Sequence, residues 1–166
     1  MNDIDVLFES TIPNLKLIAR GKVRDIYDLN SDHLLIVTTD RLSAYDVVMP
    51  DAVPGKGKIL TEISNFWFNM MEDIVPNHLT GIKLEQYISD EQLLLQLQKR
   101  AIIVKKLKPL PIEAVVRGYL IGSGWRDYKQ TGKVCGIYIS ENMQQAEKLP
   151  KTIFTPATKA TSGDHD

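Results

Sequence analysis

The stretch "LKLIARGKVRDIYDL" (residues 15–29) decides how the chain begins to fold. Apolar and charged residues mix on either side of Gly21, the pattern of two half-buried strands meeting at a bend. After the turn formers "NSD" comes "HLLIVTT" (residues 33–39), a β-rich run that reads as a third strand. Strands joined by such short connections pair antiparallel, so this region predicts a meander. Past "MPDAVPGKGK" the period changes. Ile59, Leu60, Ile63, Phe66, Trp67, Met70, Met71 and Ile74 recur at helical spacing, and Pro76 closes the run. One long helix is predicted there, with its shared apolar face in the core.

The pattern continues outward from this centre. "SDEQLLLQLQKR" predicts a short helix with a Ser89–Gln92 capping box. "AIIVKKL" and "PIEAVVRGYL" read as strands on either side of "KPLP". A helix over residues 122–129 and a short strand at "CGIYI" follow. From Glu141 the chain is polar and Pro-punctuated, and reads as a connection that forms no domain of its own. The fold class is therefore α+β. An antiparallel sheet lobe with one long helix spans residues 1–108, and an incomplete second α/β lobe spans residues 109–166.

Composition narrows the function classes. The chain has 166 residues, 43% hydrophobic and 25% charged, which is enough for a real core. Its 20 Lys+Arg offset 21 Asp+Glu, so no bulk basic excess drives binding to nucleic acid or anionic membrane. The single cysteine, Cys135, forms no intrachain disulfide and suits a reducing compartment. The acidic opening "MNDIDVLFES" is no secretory signal and no apolar run reaches membrane-span length, so the expectation is a cytoplasmic protein. His33, His78 and His165 lack zinc-site spacing, Ser123 lacks a G-x-S-x-G context, and there is no P-loop.

Four segments carry candidate chemistry. In "GKVRD" Gly21 permits close backbone approach, and Lys22 and Arg24 share a strand face. They either hold phosphate oxygens or form a solvated face. In "TTDRLSAYD" Asp40, Arg41, Ser43 and Asp46 cluster at a strand end, as a functional loop or as a surface turn with an Asp–Arg pair. In "PGKGK" Gly55, Lys56, Gly57 and Lys58 precede the long helix, where backbone N–H groups attract anions. In "PIEAVVRGYLIGSGW" Glu113 and Arg117 share a strand face, either as an ion pair or both toward a ligand. Ser123, between Gly122 and Gly124, is placed to offer a hydroxyl and backbone N–H groups to an oxyanion.

Taken together, "GKVRDIYDL", "TTDRLSAYDVVMPDAVPGKGKILTEISNFWF", "VKKLKPLPIEAVVRGYLIGSGW" and "TPATKATSGDHD" closely resemble the SAICAR synthetase family of purine biosynthesis, in order and over nearly the whole chain. The resemblance implies a fold similar to kinase and ATP-grasp architecture. It implies an ATP-dependent ligase that joins carboxyaminoimidazole ribonucleotide (CAIR) to L-aspartate with magnesium. The CAIR carboxylate would become an acyl phosphate, which the aspartate amine attacks. Such chemistry between anions needs mostly positioning and charge neutralisation.

The resemblance also implies roles. Gly21, Lys22, Val23 and Arg24 would cover the ATP phosphates. Lys105, Lys106 and Leu107 would form the hinge that reads adenine. Lys159 would face the phosphates, and Asp164 and Asp166 the phosphates and metal. Glu113, Arg117 and Ser123 would meet CAIR, with Asp40, Arg41, Ser43 and Lys58 also toward the cleft. Lys22, Glu113 and Arg117 would carry the catalytic roles. Ala157 and Thr161 depart from the Ser/Thr and acidic residues common in longer members. The main metal ligands are expected beyond Asp166, so the chain is expected to be an N-terminal portion. It would then show little or no turnover alone, and would be either complemented by a C-terminal segment or self-associating. A nucleotide-binding module without ligase activity, or a purely structural fragment, is the other reading of the same residues.

Overall fold

The computed structural model describes residues 6–45 and 47–158. The chain divides into two compact units, Met1–Leu107 and Lys108–Asp166.

Unit 1 opens with the predicted meander. Strands β1 (Lys16–Arg20), β2 (Arg24–Asp28) and β3 (His33–Thr38) pair antiparallel, and β6 (Ala101–Lys105) completes the sheet in the order β1-β2-β3-β6. A bulge lies between Leu17 and Ala19. A small ribbon of β4 (Ser43–Ala44) and β5 (Val47–Val48) precedes helix α1 (Lys56–Met70), and α2 (Glu91–Leu97) leads into β6. Asp90 caps α2 by accepting the Leu93 N–H at 2.8 Å, so the cap falls one residue after the predicted Ser89.

Strand alternation sorts the sheet's two faces. Tyr27, Leu35, Val37 and Ile103 point to one face and form the core with Leu7, Ile12, Ile88 and Leu97. Ile36, Thr38 and Ile102 point to the other, where they face Thr61, Ser64 and Phe68 of α1 across a cavity.

Helix α1 corrects the expectation that its apolar face is core. Ile59 (57%), Ile63 (50%), Phe66 (55%), Trp67 (51%) and Met70 (55%) all stand half exposed. The residues α1 buries are Gly57 and Thr61. Helical periodicity reveals that a face is apolar; here the side turned to the sheet is a mixed one that carries Thr61, Ser64 and Phe68. The helix also stops at Met70, short of Pro76.

Gly57 explains how α1 docks. A Cβ there would lie 2.3 Å from the Thr38 carbonyl oxygen, so the helix backbone sits directly on the end of β3. Gly55, at φ 77°, supplies the left-handed turn into the helix.

Unit 2 contains β7 (Ile112–Glu113), β8 (Val116–Tyr119), α3 (Ser123–Thr131), β9 (Lys133–Val134), β10 (Ile137–Tyr138), β11 (Lys148–Phe154) and β12 (Ala157–Thr158). These pair as β7 with β12, β8 with β11 and β9 with β10. Residues 112–119 are thus two short strands in separate ladders, where one continuous strand was expected. The segment after Glu141 is also more than a connection. Met143 and Leu149 are buried with Leu120 and Val134, and β11 supplies the partner for β8. Among the described residues no helix is long and apolar enough to cross a membrane.

Replacing Gly57 by Ala is expected to destabilise unit 1 by roughly 1–3 kcal/mol, through backbone displacement at Thr38. Urea unfolding followed by far-ultraviolet circular dichroism measures this, and an unchanged midpoint would contradict the close docking.

Candidate functional sites

The Gly21–Arg24 bend is a tight, hydrogen-bonded turn in which the Gly21 N–H donates to the Arg24 carbonyl at 2.8 Å. Its outward-facing residues Lys22 and Arg24 are exposed, and Val23 is half buried. The turn is held from below. Arg41 donates from Nη2 to the Gly21 carbonyl (2.8 Å) and from Nε to the Lys22 carbonyl (3.2 Å), and the Thr39 N–H reaches the Val23 carbonyl (3.0 Å).

Asp40 and Arg41, which the sequence placed toward the cleft, both have partners within unit 1. Both are buried. Arg41 pairs with buried Asp25 at 2.8 Å and donates to the Phe8 carbonyl at 2.6 Å. Asp25 also accepts the Ser10 N–H and hydroxyl at 2.8 Å each. Asp40 accepts from Leu7 N–H (2.9 Å), Gly57 N–H (2.8 Å) and Arg100 Nη1 (2.9 Å). The anion attracted by the N-terminus of α1 is therefore the protein's own Asp40 carboxylate. Burial pushes the Asp25 and Asp40 carboxyls up, but the arginines and N–H donors outweigh it and hold both below the usual carboxylate range. Ser43 lies half buried in β4, and Lys58 half buried in the first turn of α1.

On the sheet face away from the core, a cavity of about 340 Å³ lies between the strands and α1. Val23 and Arg24 reach it from the bend, Ile36, Thr38 and Ile102 from the strands, and His78 from the loop. Burial lowers the pKa of His78, and the charges of Arg24 and Lys105 lower it further, so the imidazole is neutral at pH 7. Sequence reading treated His78 as an ordinary loop residue, and no local motif distinguishes it. The hinge residues Lys105, Lys106 and Leu107 follow β6 closely. The Lys105 N–H is engaged by the His78 carbonyl (2.8 Å) and the Lys106 N–H by the Asp32 carbonyl (2.7 Å). Lys106 Nζ also pairs with Asp28 at 2.7 Å.

Unit 2 has its own cavity, of about 360 Å³. Arg117 and Ser123 both line it and bond to each other, Nη2 to Oγ at 2.8 Å. The guanidinium also donates from Nε to Thr155 Oγ1 (3.0 Å) and from Nη1 to the Ile121 carbonyl (3.1 Å). Gly124 makes room for it, because a Cβ at that position would lie 3.2 Å from Arg117 Cδ and Nε. Gly122, at φ 63° and ψ −135°, adopts a conformation open essentially to glycine alone. The "GSG" triplet thus builds a seat for one guanidinium. Glu113 lies elsewhere: it is exposed in β7, paired with Ala157, and makes no ion pair with Arg117 among the described residues. Arg126, Gln130 and Cys135 also line the cavity and were not singled out from sequence. Arg126 sits three residues after Ser123 on a predicted helix, a spacing that could have identified it.

Lys159, Thr161, Asp164, Asp166 and Asp46 lie outside the described residues. Among the described residues no three His, Cys, Asp or Glu side chains converge as a metal site.

A two-unit α+β chain with a cation-bearing cavity in each unit is the class the geometry defines. The sequence model of the SAICAR synthetase family matches residues 17–166, and the chain belongs to that family. It is 57% identical over 162 residues to phosphoribosylaminoimidazole-succinocarboxamide synthase of Methylococcus capsulatus, covering 98% of this chain and 54% of that protein. Among solved structures, SAICAR synthase from Saccharomyces cerevisiae complexed with SAICAR aligns with a TM-score of 0.84 at 41% identity, over 92% of this chain and 54% of that one. A SAICAR synthetase (type 2) in complex with ADP aligns with a TM-score of 0.63 at 21% identity, over 86% of this chain and 50% of that one, a likeness of fold. The chain spans about half the length of the relatives it matches.

Asp40→Asn is expected to lower stability by about 3–5 kcal/mol, because it removes the carboxylate charge that faces the buried Arg100 guanidinium and accepts the Leu7 and Gly57 N–H groups. The depressed carboxyls contribute stability that is full above the ordinary value of 3.8 and lost as pH falls through their lower folded values. Acid titration followed by Trp fluorescence should therefore show unfolding only below that value. An unfolding transition near pH 6 would contradict it.

Proposed function

We propose that this chain carries the nucleotide-binding unit and part of the substrate-binding unit of a SAICAR synthetase. The whole protein joins CAIR and L-aspartate at the expense of ATP, giving SAICAR, ADP and phosphate. The observation that carries this reading is the locked Arg117–Ser123 pair lining the unit 2 cavity, in a chain 41% identical to a structure complexed with SAICAR.

Each unit then has a task. In unit 1 the Gly21–Arg24 turn lies over the phosphates and Arg24 supplies positive charge. The apolar cavity beneath takes the base, with neutral His78 offering a hydrogen bond. The Lys105–Leu107 segment approaches the base through its carbonyls and the Leu107 N–H, since two of its N–H groups already serve the fold. ADP in the type 2 relative supports a nucleotide in this family's fold. In unit 2 Arg117 and Ser123 present fixed donors to the anionic oxygens of CAIR. Lys22 neutralises charge on the transferred phosphoryl group, and Glu113 makes polar contacts at the far edge of the site. Lys58 and Ser43 are further contacts on the substrate side. Lys159 faces the phosphates.

The chemistry requires no nucleophile on the protein. The γ-phosphoryl group passes to the CAIR carboxylate. The aspartate amine attacks the resulting acyl phosphate, phosphate leaves, and an amide forms. Magnesium would lower the cost of bringing these anions together, and the protein would work in the cytoplasm.

Because the chain spans about half of its relatives, ligand binding is the informative measurement. Calorimetry is expected to give saturable binding of ATP and of CAIR, and Arg117→Ala should weaken CAIR about 10–100-fold while leaving ATP unchanged. The reading fails if CAIR does not bind at millimolar concentration, or if Arg117→Ala weakens both ligands equally.

A further inference from the structure

The unit 2 cavity contains a second guanidinium. Arg126 lines it together with Arg117, Ser123, Gln130, Cys135 and Thr155. The two arginines differ in what they have left to give. Arg117 already commits three donors, to Thr155, Ile121 and Ser123. At most two of its N–H groups remain, and its plane is fixed. Arg126 is exposed and its side chain forms no hydrogen bond or ion pair among the described residues, so its whole fork is available. On α3 it follows Ser123 by three residues and precedes Gln130 by four, so the three side chains share one helix face.

A phosphate monoester carries roughly −1.5 to −2 charge at pH 7 and presents three acceptor oxygens. One locked guanidinium neutralises only part of that charge and has one N–H left on each terminal nitrogen, for three acceptor oxygens. We infer that Arg126 is the specificity-determining residue for the phosphate of the ribonucleotide substrate, taking it bidentately while Arg117 and Ser123 hold one oxygen. Asp127 also lines the cavity, and its carboxylate suits ribose hydroxyls better than phosphate. This inference rests on reading the unit 2 cavity as the ribonucleotide site.

Cys135 provides a readout independent of turnover. It is the sole cysteine of the chain, exposed, and part of the same cavity wall. Alkylation by uncharged iodoacetamide, followed by mass spectrometry, reports whether the cavity is filled. Ribose 5-phosphate is expected to slow the reaction and ribose at equal concentration to leave it unchanged. Arg126→Ala should raise the half-protecting concentration of ribose 5-phosphate at least tenfold, and Arg126→Lys should restore only part, because an ammonium cannot form the fork. Circular dichroism checks that each variant is folded. Unchanged protection in Arg126→Ala, with loss in Arg117→Ala, overturns the role of Arg126 and leaves the ribonucleotide site standing. Absence of protection in the wild-type chain overturns both. Equal protection by ribose and ribose 5-phosphate overturns the phosphate contact alone.

Discussion

The Asp40 carboxylate ties unit 1 together. It gathers an N–H from the amino-terminal strap at Leu7, an N–H from the first turn of α1 at Gly57, and the guanidinium of Arg100 at the entrance to β6. A buried charge is tolerated only when its partners satisfy it completely, so these three elements must all arrive in one arrangement. The neighbouring Asp25–Arg41 pair continues the network to Ser10 and to the carbonyls of Gly21 and Lys22. The shape of the glycine bend is therefore set from inside the fold. Whatever the bend does for a ligand, it does with a backbone held by a buried ion pair.

Unit 2 reaches a comparable result by a different route. Its key cation is aligned by sterics as well as hydrogen bonding. Gly124 leaves the space, Gly122 makes the turn, and Thr155, immediately after β11, closes the ring of acceptors. Residues 117 and 155 are distant in sequence, and the β8–β11 pairing brings them together. Both units place arginine beside glycine, and in both the glycine serves the geometry of a neighbour.

Local patterns in the sequence made the meander, α1, α3 and the family legible. Glycine at 21 between two extended runs is sufficient to read β1 and β2, although only β2 alternates between buried and exposed positions and β1 is exposed throughout. The long-range facts were not legible. Asp40 and Arg41 have the residue types of a ligand site, and nothing in "TTDRLSAYD" reveals that their partners lie at Leu7, Arg100 and Asp25. The apolar face of α1 was visible, but periodicity does not say whether anything covers it. Glu113 and Arg117 are separated because each strand takes a different partner, which alternation along one segment cannot encode. At the candidate sites Arg117 and Ser123 were legible from glycine spacing, whereas His78 enters its cavity from a loop that carries no motif.

Helix α1 is anchored along one side and open along the other. Its first turn is fixed, with backbone against Thr38 and an N–H on Asp40, and further along Glu62 pairs with Lys99 at 3.0 Å and the Phe68 carbonyl accepts from Asn77 Nδ2 at 3.3 Å. Ile59, Ile63, Phe66, Trp67 and Met70 stand half exposed on the open side. The carboxylate that fixes the first turn is flanked by Thr39, which bonds the Val23 carbonyl, and by Arg41, which bonds those of Gly21 and Lys22. The start of the helix and the glycine bend therefore share one anchor point, and a change in the position of either is felt by the other.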